Sequence, residues 1–496
     1  MISIKQVVLI ALTLLLIGCA LGPNYHTPPR PQATRYTEKA MPKSTVSAQT
    51  KAGKQQFFRI SQDIPLKWWT IFHSQALNQI IKDSLCANPD IAAAKAALKI
   101  AHENTLIQKS AFFPLVTANY NPMRQLTPGT LASNVASNAY LYTLNTTNLS
   151  VTYMPDVLGF TRRQVESAAA KEESQAFQTE AIYLTLTSNI VLAAIQEASI
   201  RAQIKFTKRS IKIAHGILDS LQRQYSMGAV SQQSVIAQEV FLAQVESALP
   251  SLQLQLAQQR HLIASLRGVP PSESIVQKFS LDDFTLPDEL PVKLPAQLVE
   301  QRPDVRAAEA QMHAASAQIG VAFANRFPNL TLSANGGIAP IDFAMNSIPF
   351  ALPLLPTGSP FYWMIFANLA GTIFDAGSLK HQQRAAEAAY EQTVAQYRRV
   401  VLNAFQNVAD SLKAIQYDAK ILKLAAIQER AAHKNVLIIK KKLDLGLISY
   451  LEVLNAEQSY QQALANLAQS QANRFTDTVG LFQALGGGWR GCGPLV

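Results

Sequence analysis

The stretch 378–444 most constrains what this chain can fold into, because nothing in it breaks a helix. It contains no proline, and no glycine lies between Gly377 and Gly446. A helix of roughly 65 residues would extend about 100 Å at ~1.5 Å per residue, several times the width of a small domain. The turn 445–449 follows, with glycine at a helix end and Ser449 where the next helix needs an N-cap. The sequence predicts one very long antiparallel hairpin that returns over 450–484.

Residues 1–18 have the pattern of a signal peptide. Lys5 supplies the positive charge, and the apolar run 7–17 is too short to span a bilayer. The run ends in Leu-Ile-Gly-Cys at Cys19, which resembles the bacterial lipobox, whose cysteine carries a covalent lipid in the mature protein. Ala20 follows rather than aspartate, which by resemblance to lipoprotein sorting rules indicates the outer membrane. We expect export and lipid attachment at Cys19; the alternative is an ordinary signal that merely contains a cysteine.

The chain is an internal duplication of roughly 215 residues per copy. Four landmarks recur at intervals of 214 or 218 residues: Pro89 as Pro303, Phe113 as Phe327, Gly159 as Gly377, and Gly228 as Gly446. Each copy follows the order helix, strand, loop, strand, very long helix, glycine turn, helix. A repeat of this length indicates two structural units of the same kind.

Seven segments follow from these landmarks. They are a signal peptide (1–18), an anchor and extended strap (19–54), an equatorial helix region (55–88), a first repeat (89–267, with a β-hairpin at 115–153 and a helical hairpin at 161–267), an equatorial linker (268–302), a second repeat (303–484, with a β-hairpin at 329–374 and a helical hairpin at 378–484) and a C-terminal tail (485–496).

Four predicted strands, 115–125, 140–153, 329–338 and 362–374, carry the period-2 alternation of apolar and small polar residues that a barrel wall requires. The alternative is a half-buried sheet of a soluble protein. No segment has 18 consecutive apolar residues, so we expect no transmembrane helix, and a membrane crossing would need a closed barrel. Four strands cannot close one, because the smallest have about eight. The chain must then oligomerise: two copies give eight strands and three give twelve.

The predicted helix lengths also fit together. The helix 161–226 spans roughly 65 residues, whereas its partner 232–267 spans about 36. The missing length is close to that of the helix 90–112, and the second repeat offers the same combination. Two shorter helices stacked end to end would therefore match each long one, as suits the wall of an α-helical tube.

Composition argues against other functions. A net charge of +11 is compatible with nucleic acid or anionic lipid, yet its lysines and arginines are spread along predicted helices, which favours solvated helix faces and no nucleic-acid partner. Gly486–Gly488 lacks the context of a phosphate loop. Cys86 and Cys492 could pair if exported. We expect no enzyme, no metal and no cofactor besides the lipid, since the histidines lack metal-ligand spacing: His26, His73, His102, His215, His261, His313, His381 and His433.

The chain resembles the outer membrane factor family, the exit ducts of tripartite efflux pumps and type I secretion systems, and in particular its NodT-type lipoprotein branch. The resemblance covers nearly the whole mature chain, and the order and spacing of its motifs make it specific. They are Cys19 with Gly22-Pro23-Asn24-Tyr25, Trp68-Trp69 with Phe72, Asn88-Pro89-Asp90, Pro155-Asp156-Val157, the run from Arg302 to Glu309, the run from Ile319 to Ala322, Phe327-Pro328, Phe374-Asp375-Ala376-Gly377 and the run from Ala484 to Trp489.

This resemblance implies an α+β membrane protein that is a homotrimer: a twelve-stranded outer-membrane β-barrel, four strands per chain, continued by a long periplasmic α-helical barrel within a mixed collar. It also implies a periplasmic adaptor that meets the helical tips and links the duct to an inner-membrane pump. The tips implied here are Met227, Gly228, Ala229, Val230 and Ser231 in the first repeat, and Leu445, Gly446, Leu447, Ile448 and Ser449 in the second.

The resemblance also implies a periplasmic gate, in which carboxylates just after the second tip form a ring that narrows the closed tube and attracts cations. The matching positions are Glu452 and Asn455, so one carboxylate is replaced by an amide. Lys441 and Lys442 lie about as far before the turn, which makes a contact with Glu452 possible. Solvated charges at a helix end are the alternative interpretation.

Three functions remain open. The leading hypothesis is a passive exit duct for small molecules, coupled to an adaptor and a pump, in the outer membrane and extending into the periplasm. A type I protein secretion outlet has the same architecture. A lipid-tethered periplasmic coiled-coil scaffold without a pore is the third. The substrate cannot be read from small polar residues.

Overall fold

The computed structural model describes residues 21–29, 31–60, 64–126, 141–273, 277–338, 341–342, 361–448 and 450–487. Eight α-helices lie in this part of the chain: α1 Gln75–Ala87, α2 Pro89–Ser110, α3 Phe160–Ser226, α4 Gln232–Arg267, α5 Pro295–Gln301, α6 Pro303–Ala324, α7 Ser378–Asp444 and α8 Tyr450–Ala484. The two long helices, α3 and α7, have 67 residues each. Their bounds lie within one residue of those that the glycines and prolines predict.

At the start of each long helix, an aspartate side chain accepts hydrogen bonds from backbone N–H groups. Asp156 accepts hydrogen bonds from the backbone N–H groups of Thr161 and Arg162 at 3.0 and 2.9 Å. Asp375 accepts them from Gly377 and Leu379 at 2.8 and 2.7 Å. These N–H groups, with Leu379 first, hold the pKa of Asp375 below its usual value. The acidic residue in each repeat therefore satisfies backbone donors that a helix start leaves unpaired.

Seven β-strands lie in the described residues: β1 Phe57–Ile60, β2 Leu115–Leu126, β3 Leu141–Tyr153, β4 Glu289–Val292, β5 Asn329–Ile338, β6 Ile341–Asp342 and β7 Phe361–Ala370. The long strands form an antiparallel sheet in the order β2-β3-β5-β7, and β6 also pairs with β3. The strand predicted over 362–374 ends at Ala370. Gly371 follows, where a Cβ would lie 2.8 Å from Pro328 Cγ, so the chain needs a residue without a side chain there.

The chain divides into two compact units. The first takes its described residues from 1–27, 99–173 and 310–395, and the second from 28–98, 174–309 and 396–496. The first unit holds the five-stranded antiparallel sheet and the adjoining parts of α2, α3, α6 and α7. The second unit holds the remaining parts of these four helices together with α1, α4, α5, α8, β1 and β4.

The core of the second unit contains an aromatic cluster. Trp68 stacks on Phe482 with ring centroids 5.6 Å apart, and Phe284 lies 5.8 Å from Phe475. The segment 67–88 does not form one helix: a 3-10 turn over Trp68–Phe72 ends at His73, whose φ is 53°, and Ser74 then caps α1. The left-handed residue ends the turn, so the two pieces can take different directions.

The strap ahead of this core folds back on itself. Residues 48–53 form a turn closed by the Ala48 N–H donating to Gly53 O at 2.8 Å, and the strand β1 that follows pairs in parallel with β4. Gln56, fully buried, donates to Pro287 O at 3.2 Å. The end of the predicted strap is therefore held against the second unit by the strand pairing and by the buried Gln56 that follow it.

The two shorter helices of each repeat, α2 with α4 and α6 with α8, are joined end to end by one side chain. In the first repeat Asn88 Nδ2 donates to Leu266 O near the end of α4 at 2.9 Å, and its Oδ1 accepts from the Asp90 N–H of α2 at 2.8 Å. In the second repeat Arg302 Nη1 donates to Ala484 O at the end of α8 at 2.8 Å. Asn88 and Arg302 lie 214 residues apart, so the duplication has kept the junction with different side chains.

Among the described residues one helix, α3, contains a stretch long and apolar enough to cross a membrane by length and composition alone. In that stretch 56% of the residues are buried inside the protein. A core helix passes the same test, and the packing of α3 in its unit accounts for its apolar side chains.

Candidate functional site

The candidate site is the pair of turns at the ends of the long helices, in the second unit. Gly228 and Gly446 both have left-handed backbones, with φ of 73° and 67°. The Ala229 N–H donates to Gln224 O at 2.8 Å, and the Leu447 N–H donates to Lys442 O at 2.9 Å. The same closing bond thus ends α3 and α7, as expected where glycine follows a helix.

The turns present apolar side chains to solvent. Met227 is 74% exposed, Leu445 73% and Leu447 68%. Ala229 and Ser231 are also exposed, whereas Val230 and Ile448 are half-buried; Ser449 lies outside the described residues. These side chains make the turns the most apolar exposed ends of the two long hairpins.

The predicted gate residues of the second hairpin are all exposed. Glu452 and Asn455 lie three residues apart on α8, both exposed, while Val453 and Leu454 between them are buried. Lys441 and Lys442 at the end of α7 are exposed too. In the described part of the chain neither lysine forms an ion pair with Glu452.

A different pair joins the two helices of this hairpin. Lys440 Nζ lies 2.5 Å from Glu457 Oε1, and the glutamate side chain is only 8% exposed. Side chains on a helix lean toward its N-terminus, so Lys440 on α7 leans away from the turn while Glu457 on α8 leans toward it. Counting equal distances from Gly446 therefore does not find the partners.

A chain of hydrogen bonds links the second hairpin to the first. Tyr450 Oη donates to Gln238 Oε1 at 3.2 Å, and Gln238 Nε2 donates to Ala214 O of α3 at 2.7 Å. Burial, and then the charge of Glu457, raises the pKa of Tyr450 well above its usual value. The phenol therefore stays protonated and can donate across the physiological pH range.

The sequence analysis did not identify Gln238, Tyr450, Lys440 or Glu457. The sequence does contain a signal for two of these residues, Gln238 and Glu457. Val235, Gln238 and Leu242 follow one buried stripe of α4, and Glu457 follows the buried Val453 and Leu454 of α8. A polar residue inside an apolar stripe needs a buried partner. Such a residue can be recognised from the sequence, but its partner cannot.

A second polar centre lies far from the turns, between α7 and α8. Arg474 is 1% exposed and donates to Ile415 O at 2.9 Å and to Lys54 O of the strap at 3.4 Å. Burial, and then the neighbouring Asp418, raises the pKa of Asp477 to about 8. Burial lowers the pKa of Arg474 to about 10, against the attraction of both carboxylates. A proton retained on Asp477 therefore reduces the negative charge that faces Arg474 in this centre.

The remaining predicted residues lie apart from these centres. Cys19 and Cys492 lie outside the described residues, and Cys86 is exposed with a free thiol. Three histidines pair with glutamates of neighbouring helices: His102 with Glu172, His215 with Glu246 and His313 with Glu166. Within the described ranges no group of three or more His, Cys, Asp or Glu side chains could hold a metal ion.

Comparison with known proteins adds to this geometry. The family model described as outer membrane efflux protein matches residues 80–269 and 294–487. The probable efflux pump outer membrane protein TtgC of Pseudomonas putida is 26% identical over 493 residues, covering 98% of this chain and 96% of the relative. Nodulation protein T of Rhizobium leguminosarum bv. viciae is 26% identical over 491 residues, covering 96% and 92%.

Solved structures match over nearly the whole chain. The outer-membrane channel OprN superposes with a TM-score of 0.82 at 24% identity, covering 95% of this chain and 100% of that one. The CmeC outer membrane channel of Campylobacter jejuni gives a TM-score of 0.81 at 18% identity, covering 95% of each. The chain therefore has the fold of a subunit of these channels.

Proposed function

This chain belongs to the outer membrane efflux protein family, and from that membership we propose how it works as the outer-membrane exit duct of a tripartite efflux pump. It lies in the outer membrane and serves an efflux system, as its relatives do. In our proposal it passively conducts small molecules, which an inner-membrane pump delivers through a periplasmic adaptor.

The observation that carries the proposed pore is the sheet. Its four long strands end at β2 and β7, each of which pairs on only one side among the described residues. Phe361, Trp363 and Ile365 alternate along β7 and are 68%, 70% and 74% exposed. Backbone edges and apolar faces of this kind are stable in lipid only in a closed barrel. Three copies would supply twelve long strands, continued by an α-helical barrel in the periplasm.

We propose that the two turns are where the periplasmic adaptor docks. The exposed apolar side chains Met227, Leu445 and Leu447 are the support for this assignment. Replacing Leu447 by aspartate should abolish co-purification of the adaptor. Leu437→Asp is a matched control, because Leu437 is 54% exposed on α7 away from the turn. Equal loss of binding in both variants would contradict docking at the turns.

We propose that Glu452 and Asn455 form the gate with copies from the other subunits, and that Lys441 and Lys442 add their charge beside it. The support is that all four residues are exposed, with Glu452 and Asn455 on one face of α8. Single-channel conductance tests this role. Glu452→Ala should raise conductance, because it removes the side chains that narrow the tube. It should also lower cation selectivity, because it removes a ring of negative charge. The exposed Glu239 on α4 gives the control Glu239→Ala, which should change neither. A Glu452→Ala channel with wild-type conductance and selectivity would refute the gate.

We also propose that Cys19 carries a lipid that tethers the mature chain to the outer membrane. Labelling cells with a radioactive fatty acid such as palmitate should mark the wild-type protein and leave Cys19→Ser unmarked. Label on the variant would place the lipid elsewhere.

Two alternatives make different predictions. A type I secretion outlet would co-purify with the adaptor of a protein exporter, and its deletion would leave drug susceptibility unchanged. A scaffold without a pore would not conduct ions when purified trimers are placed in a planar bilayer. The susceptibility profile of a deletion strain would also identify the substrates.

A further inference from the structure

A short N-terminal segment, residues 21–25, lies in a socket in the first unit. The Leu21 N–H donates to Leu158 O, just before α3, at 3.1 Å. The socket has one wall from α3 of the first repeat and one from α6 of the second. Nothing in the proposed conduction of substrates requires this contact.

Arg163 of α3 forms the floor of the socket. Its side chain is 5% exposed, and it donates from Nε to Leu21 O at 3.1 Å and from Nη2 to Gly22 O at 3.3 Å. Nη2 also donates to Asn24 Oδ1 at 2.8 Å. Since a buried guanidinium needs acceptors for its donors, the segment supplies most of what Arg163 requires. Glu166 supplies the rest, at 2.7 Å from Nη1.

Two glycines let the segment approach α6. Gly22 has a φ of 94°, and a Cβ there would lie 2.4 Å from Gly320 Cα. A Cβ on Gly320 would lie 2.9 Å from both Leu21 O and the Cγ of Arg163. No larger residue fits at either position unless the two backbones separate.

An aromatic contact closes the far end of the socket. The ring of Tyr25 stacks on His313 of α6, with centroids 4.3 Å apart and planes 16° from parallel. His313 Nε2 lies 3.0 Å from Glu166 Oε1, so the glutamate that binds Arg163 also holds the histidine. The two walls are thus connected through side chains that the segment itself covers.

We propose that this socket binds residues 21–25 as a sequence-specific clasp, which fastens the first turns of α3 to α6 and so joins the two repeats beside the sheet. The socket selects glycine at 22 by close approach, asparagine at 24 by its hydrogen bond to Arg163, and an aromatic residue at 25 by stacking. The clasp is thereby a structural part of the first unit, in addition to any tether that the residues before it provide.

Hydrogen–deuterium exchange of the purified full-length mature protein in detergent tests the clasp. In Gly320→Ala we expect the Leu21 amide, which donates to Leu158 O, to exchange at least about tenfold faster, the equivalent of ~1.4 kcal/mol of local stability. Amides in the first turns of α3 and along 313–320 should lose protection as well. Gly216→Ala is the matched control, because a Cβ on that helical glycine meets nothing within 4 Å.

Asn24→Ala keeps the test decisive should Gly320→Ala fail to fold. It removes one exposed acceptor and should speed exchange in both the segment and the two helices, by a smaller factor. The proposal is overturned if Asn24→Ala leaves the protection of the Leu21 amide unchanged. It is overturned equally if the segment loses protection while α3 and α6 keep theirs, because the segment would then be a tether only.

Discussion

Asp477 makes the stability of this protein depend on pH in an unusual direction. An ordinary aspartate has a pKa near 4, whereas burial beside Asp418 raises that of Asp477 to about 8. Between these values the folded chain keeps a proton that the unfolded chain releases. Its contribution to stability is therefore greatest below about pH 4 and declines as pH rises toward 8, by at most ~1.4 kcal/mol per pH unit.

We expect Asp477→Asn to remove most of this slope. Thermal unfolding midpoints measured between pH 5 and pH 8 should fall for the wild-type protein and stay nearly constant for the variant. Asp410→Asn is the control, since Asp410 is exposed on the same helix α7 that carries Asp418. Parallel pH curves for the wild type and Asp477→Asn would show that another group is responsible.

Tyr450 offers a test of the link between the two hairpins near the turns. Tyr450→Phe removes only the hydroxyl that donates to Gln238 Oε1, which should lower the free energy of unfolding by about 1 kcal/mol. If the hairpins separate when the duct opens, the same loss of about 1 kcal/mol would destabilise the closed state. A bilayer recording should then show up to roughly fivefold more openings. Tyr417→Phe is the control, because Tyr417 is 53% exposed, and it should change neither quantity. Equal effects in both variants would show that the hydrogen bond from Tyr450 to Gln238 does not hold the duct closed.

The elements of this fold differ in how far the sequence predicts them. The bounds of α3, α4, α7 and α8 follow from glycines, prolines and their spacing, because these residues act locally. The parallel pair β1 and β4 joins residues about 230 positions apart, and no local pattern marks such a partner. The break at His73 likewise has no local signal, because a left-handed residue other than glycine is uncommon.

The candidate site divides in the same way. The turns at Gly228 and Gly446 could be placed from the sequence, because a glycine after a long helix has a local cause. The Lys440–Glu457 and Tyr450–Gln238 contacts could not, since they depend on the register between helices. The same holds for Asn88 and Arg302, which occupy equivalent positions and join helix ends with different chemistry.

The junction between α4 and α2 gives a prediction at the scale of elements. Gly268 ends α4 with a φ of 82°, and a Cβ there would lie 2.4 Å from Ala87 O. Gly268→Ala combines backbone strain with a clash against a fixed carbonyl, so we expect a loss of more than about 3 kcal/mol. Gly446 has a φ of 67°, and a Cβ added there would meet nothing within 4 Å. Gly446→Ala should therefore lower the free energy of unfolding by only about 1 kcal/mol.

Chemical denaturation followed by the helical circular dichroism signal measures both variants. The comparison isolates the close approach, because the two glycines have nearly the same backbone conformation. A loss at Gly268→Ala no greater than at Gly446→Ala would mean that the helix ends separate easily and that the junction is not rigid.

At the scale of the whole molecule, the duplication explains why the four long strands of one chain form one sheet. Each repeat supplies two long strands, and β3 of the first pairs with β5 of the second, Thr147 opposite Ile338. The join between repeats therefore lies in the middle of the sheet, and the unpaired edges belong to different repeats: β2 to the first and β7 to the second. Copies of the chain can then pair β2 with β7 in the same way at every interface, which is the condition for a closed ring.

We therefore predict a trimer with twelve long strands, joined by β2 of one copy and β7 of the next. Native mass spectrometry of the detergent-purified protein should give three chains per particle. The cross-linking variants are made in a background with Cys86 and Cys492 replaced by serine. There, Tyr120→Cys on β2 is combined with one cysteine at a time along β7. These double variants should form disulfides between chains. The matched pair Leu149→Cys and Gly336→Cys, register partners within one sheet, should cross-link only within a chain. Particles of two chains, or β2–β7 disulfides confined to single chains, would require a barrel of a different size.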